Sequence, residues 1–172
     1  PEREKRLLQV ASVIGKDFPE PLLAAVAELP ADELKAALAA LHRAEFIHEQ
    51  ALYPVAEYAF KHPLTQEVAL GSQLRERRRH VHAAVARAIE RQDSEHLDER
   101  AAMLAHHWDE AGEALAAARW HWRAARWVER TALAASKLHW ERVRALLREV
   151  PDDREVAALR IAACLQLLIG GP

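Results

Sequence analysis

FIHEQALYPVAEYAF, residues 46–60, is the stretch where the apolar period of this chain drops from helical spacing to alternation. Phe46-Ile47-His48 and Glu57-Tyr58-Ala59-Phe60 are short β-like runs, and the loop between them holds Tyr53-Pro54, so the stretch reads as a small hairpin. Working outward toward the start, residues 3–14 form a helix pattern on Leu7, Leu8, Ala11 and Ile14, with Gly15 placed to stop it. Asp17 and Glu20 make a capping-box pattern for a second helix over 18–28. Pro30, Asp32 and Glu33 open a third, with Leu34, Ala37, Leu38 and Leu41 on one face as far as about residue 43. Three helices followed by a hairpin is the order of a winged helix.

Beyond the hairpin the pattern is helical throughout. Pro63 starts a helix over about 63–74, interrupted near Gly71, and a longer one covers 75–92 with Leu74, Val81, Val85, Ala88 and Ile89 as its apolar stripe. Further helices are expected over 97–111, 113–130, 136–149 and 152–169, punctuated by Gly112, Pro151 and Gly170. The chain has 172 residues, 36 of them alanine against five glycines and eight prolines, which moves the expectation to a mainly α protein. Residues 101–135 hold 13 alanines, and Trp108, Trp120, Trp127 and Trp140 are spaced through and just beyond them. Small residues facing large ones at helical intervals are the packing logic of antiparallel tetratricopeptide-like helices. The expected organisation is a winged-helix-like module over 1–92 and the start of a helical repeat region over 93–172.

Composition narrows the chemistry. The single Cys164 excludes an intramolecular disulfide and fits a reducing cytoplasm. The longest uncharged run, residues 161–172, is too short to span a bilayer, so no membrane partner is expected. Beginning at Pro1 rather than methionine, the chain reads as a piece of a longer protein. It holds no GxxxxGK[ST], GxGxxG, HExxH or CxxC motif, so this piece is expected to be non-catalytic, with no metal and no cofactor of its own. Ten histidines invite a metal reading, but His80 and His82, like His106 and His107, stand at spacings that point apart on a helix.

The alternative function is a DNA-binding winged helix of a transcriptional regulator, read through the third helix. Its outward residues would be Lys35, Ala36, Ala39, His42 and Arg43, and residues 30–48 carry a net charge of −1. Alanines reach neither base edges nor phosphates, so nucleic acid is the weaker expectation. Charge is segregated further on: residues 71–92 sum to +4 and residues 93–113 to −6, which reads first as two solvated faces that attract each other. Arg77 and Arg78 stand at the edges of an apolar stripe and at a helix start, where the macrodipole disfavours cations. That placement marks them as candidates for an anion or an interdomain contact.

Several stretches taken in order carry a resemblance. They are LLQVASVIGKDF (7–18), YAFKHPLTQEVAL (58–70), RERRRHVHAAVARAIE (75–90), LAHHWDEAG (104–112) and PDDREVAALRIAACLQLLIGG (151–171). Together they resemble the region just after the ATPase core in bacterial STAND-class signalling proteins, AAA-like ATPases fused to class III adenylate or guanylate cyclase domains or to LuxR-type DNA-binding domains. The resemblance implies a regulatory winged helix over the nucleotide site of an adjacent ATPase domain, helical repeats that bind protein partners, and ATP or ADP bound by the parent protein. Related STAND proteins carry an aromatic or apolar residue, His, Asp, Leu run whose histidine reaches the phosphates of ADP. Here the matching stretch is Phe60-Lys61-His62-Pro63-Leu64: His62 and Leu64 match, Pro63 replaces the acid and Lys61 is inserted. His62 is therefore either a nucleotide-sensing residue or simply a cap of the helix that Pro63 opens. The helix expected from Asp152 to Ile169 is apolar nearly all round and calls for cover from a second copy, as a homodimer, or from the preceding repeat.

Overall fold

The computed structural model describes residues 2–169, in two compact units, Pro1–Ala88 and Ile89–Pro172. The division falls inside the helix α5 (Arg75–Gln92), a few residues before the break expected at 92/93. The described residues are mainly helical, with one small three-stranded antiparallel sheet.

In the first unit the order is α1 (Glu2–Ile14), β1 (Asp17–Pro19), α2 (Glu20–Ala27), α3 (Ala31–Arg43), β2 (Ile47–Ala51), β3 (Glu57–Phe60) and α4 (Pro63–Gly71), followed by the start of α5. The expected hairpin is present, with Ile47 opposite Phe60 and His48 opposite Ala59. The expected capping box is not. Asp17 pairs with Ala59 and Phe18 with Tyr58, so these residues form a strand, and the sheet order is β1-β3-β2. Pro19 occupies the cap position of α2 without a side-chain bond, and Glu20 instead accepts a hydrogen bond from the Tyr58 hydroxyl at 3.4 Å. The reason is burial: Phe18 lies in the core with its ring 6.1 Å from Tyr58 and 5.6 Å from Phe60. Those contacts outweigh one solvent-exposed cap.

The face of α3 that carries Leu34, Ala37, Leu38 and Leu41 is buried, as its period requires. Helices α1 and α4 are fastened by a polar cluster as well as by apolar packing. Gln9 Nε2 donates to Ser72 Oγ at 2.9 Å, Gln73 Nε2 to the Gln9 carbonyl at 3.0 Å, and Gln66 Nε2 to the Ser12 carbonyl at 3.3 Å. The expected stripe of α5 is buried at Val81, Val85, Ala88 and Ile89, whereas Leu74 lies just outside the helix and is 80% exposed.

The second unit continues from α5 through α6 (Ala101–Ala111), α7 (Ala114–Val128), α8 (Leu133–Leu146) and α9 (Arg154–Ile169). From α6 onward each helix packs on the next, and α7 also meets α9. Gly112 ends α6 in the left-handed region at φ 78°, donating its N–H to the Asp109 carbonyl, a conformation that a side chain would oppose. Asp153 caps α9 through Val156 N–H at 2.8 Å. The alanines do what their spacing suggests: Ala117, Ala118, Ala124 and Ala125 are buried on α7, and Trp140, Val143, Leu147 and Val156 close the core beside them. Gly170, expected to punctuate the last helix, lies outside the described residues.

Candidate functional site

His62 sits between β3 and α4 at the cap position of that helix, in extended conformation with φ −132° and ψ 132°. Its side chain makes no capping bond and is exposed; its carbonyl accepts from Thr65 N–H at 3.0 Å. Pro63 at the first helical position fixes this geometry, because proline supplies helical φ and lacks the N–H that would go unpaired there. The imidazole opens onto a cleft of about 520 Å3 between α1 and α4. Leu8, Phe46, Leu64 and Val68 give that cleft apolar walls, and Lys5 adds a cationic side chain.

The two arginines singled out with His62 are not brought to that cleft. Arg77 is exposed in the first turn of α5 and lines a different cleft, where Glu2, Glu28 and Glu33 are also found. Arg78 is half-buried and lines neither. The outward face of α3 presents Lys35, Ala36, Ala39, His42 and Arg43 to solvent, as its pattern requires, and Arg43 Nε turns back to the Ala39 carbonyl at 3.3 Å.

Two polar clusters in the second unit were not legible from local spacing. In the first, the Glu90 Oε1 atom accepts from Trp108 Nε1 at 2.8 Å and from Trp120 Nε1 at 2.9 Å, joining the end of α5 to α6 and α7. Arg123 lies 5.1 Å from the Trp120 ring centroid and pairs with Asp98, and Arg119 forks onto Glu155, one arm at 2.6 Å. In the second, His121 on α7 and His139 on α8 approach Nδ1 to Nδ1 at 2.8 Å, with Asp109 Oδ2 3.4 Å from His121 Nε2. Asp109 is itself held by both arms of the Arg142 guanidinium at 2.6 Å. Eighteen residues of sequence separate the two histidines, beyond any helical near-neighbour rule. Among the described residues no group of three or more His, Cys, Asp or Glu could hold a metal ion.

The proton positions in that cluster follow from its acceptors. A carboxylate only accepts, so His121 carries its proton on Nε2, and its bare Nδ1 accepts from His139. Protonating His121 would set N–H against N–H. Burial pushes the His121 pKa down to about 4, with His139 adding to the effect, and burial lowers His139 as well. For Asp109 burial acts upward, but Arg142 and His121 overcome it and hold its carboxyl below the usual range. The native state therefore binds fewer protons than the unfolded chain as pH falls from 6.5, the ordinary histidine value, toward 4. Acidification through that window is expected to cost the unit roughly 2 kcal/mol. Urea unfolding at a series of pH values checks it: His121→Leu with His139→Leu should flatten the slope between pH 6.5 and about 5. An unchanged slope would reject the assignment.

No helix among the described residues is long and apolar enough to cross a membrane. No family model, no curated protein and no solved structure matches the chain.

Proposed function

We propose that the chain is a non-catalytic regulatory and protein-interaction segment of a multidomain STAND-type signal-transduction ATPase, linked to a nucleotide cyclase or transcription-regulator output. The observation that carries this reading is the exposed His62 at the junction of β3 and α4, above an open apolar cleft. The order α1-β1-α2-α3-β2-β3, with β1 paired to β3, supports a winged helix in the first unit. The alanine-rich outer face of α3 favours a regulatory winged helix over a groove reader. Successive packing of α6 to α9, with alanines buried between tryptophans, supports tetratricopeptide-like repeats in the second. Ile161, Leu165, Leu168 and Ile169 are exposed along α9, a face that a further repeat or a second copy would cover.

In this reading the adjacent ATPase domain of a cytoplasmic parent binds ATP or ADP, and His62 donates a hydrogen bond to the phosphates that holds the closed state. The first N–H groups of α4 add positive potential beside the ring. His62→Ala in the full-length parent is expected to remove one hydrogen bond to a charged group, about 1–3 kcal/mol. ADP should leave roughly 5- to 150-fold faster, and output activity should rise. The ring is exposed and caps nothing, so the substitution leaves the fold intact. Wild-type ADP dissociation and wild-type output in that variant would reject the role of His62.

A further inference from the structure

We infer that the cleft between α1 and α4 docks an amphipathic polypeptide segment that carries acidic side chains at one end. The proposal concerns the surface that His62 borders, yet it requires nothing of a nucleotide.

Three observations lead to it. Bulky apolar side chains that a solvent-facing surface would replace with polar ones are held open here: Phe46 is 43% exposed, Leu64 67% and Val68 62%. Leu64 and Val68 stand one turn apart on α4, and Leu8 faces them from α1, so the apolar groups form one strip along the cleft. The Gln9 amide nitrogen and the Ser72 hydroxyl on the floor are already engaged. Gln9 Nε2 is bound to Ser72 Oγ at 2.9 Å, and Ser72 Oγ donates to the Ala69 carbonyl at 2.8 Å. A small polar ligand would find few partners there, whereas leucine-like side chains would cost no floor hydrogen bond.

The third observation is the sign of the charge. Lys5 is the charged side chain that lines the cleft, and no aspartate or glutamate does. The nearby Glu45 is taken by Lys61, with Nζ at 2.7 Å. A segment with apolar residues at helical spacing and a carboxylate pair beyond them complements both features. A basic segment would meet Lys5 with like charge.

The test uses the 172-residue chain and fluorescein-labelled peptides of about 15 residues, leucine at helical spacing on one face. One peptide carries a glutamate pair at its end, a second a lysine pair in the same place. In fluorescence anisotropy at about 0.15 M salt, the glutamate peptide is expected to bind saturably and about tenfold more tightly than the lysine peptide. Leu64→Glu should weaken binding of the glutamate peptide by a similar factor, and Lys5→Glu should reverse the order of the two. Both positions are exposed, and circular dichroism confirms that each variant folds. Absence of saturable binding, or equal affinity for the two peptides, overturns the proposal, as does an order that Lys5→Glu leaves unchanged. Displacement of the glutamate peptide by ADP alone, in the absence of any ATPase domain, would also overturn it by making the cleft an anion site. No ATPase domain or output is measured, so failure here is separate from failure of the His62 assay in the parent.

Discussion

Replacing Phe18 with alanine is expected to destabilise the first unit by about 3–5 kcal/mol, the cost of emptying a filled aromatic site. Phe18 is 1% exposed and is the one large side chain that β1 contributes to the core. Its ring meets Tyr58 nearly parallel, at 21°, and Phe60 edge-on, at 62°, so the substitution removes two aromatic contacts as well as buried area. Most of a small domain's net stability is of this size, so the unit should unfold at a much lower urea concentration. Phe18→Leu, which keeps much of the volume, should cost well under half as much. The measurement is urea unfolding followed by near-ultraviolet circular dichroism, which reports the aromatic cluster. A loss below about 1 kcal/mol would mean that β1 does not hold the core in the way described.

The second large effect is expected at Glu90. One carboxylate oxygen accepts from two indole N–H groups that reach it from different helices, α6 and α7. Glu90→Leu removes that acceptor from both tryptophans, of which Trp108 is buried. Each hydrogen bond to a charged group contributes about 1.5–3 kcal/mol, and partial exposure of Glu90 lowers the sum, giving an expected loss of about 2–4 kcal/mol. Glu90→Gln keeps an acceptor oxygen and gives up only charge assistance, so it should cost about 1 kcal/mol. Unfolding followed by tryptophan emission separates the two variants. A leucine variant as stable as the glutamine one would show that the paired indoles are not held by this carboxylate.

The periodicities alone placed the helices α1, α3 and α5 to within a residue or two, because each is an amphipathic run, and placed the start of α4 at Pro63, although that helix ends at Gly71 rather than near residue 74. Alternation placed β3 over Glu57–Phe60 and located β2, which runs from Ile47 on to Ala51 rather than ending at His48. The order of three helices and a hairpin, and the position of His62 at a strand–helix junction, were therefore readable before any coordinates. The start of α2 was not. Asp17 and Glu20 form a sound local cap in the sequence, but Phe18 gains more from the Tyr58 and Phe60 rings than one cap contributes, and that gain exists only once β3 lies alongside.

The cleft beside His62 was illegible for a similar reason. Lys5, Phe46 and Val68 are ordinary residues in separate elements, and only the packing of α1 on α4 gathers them. Glu90 with its two tryptophans, and His121 with His139, depend on helices separated by 18 or more residues. Spacing along one helix states which side chains share a face. Which faces then meet is a property of tertiary packing, and in this chain the clefts and buried polar clusters all lie where faces meet.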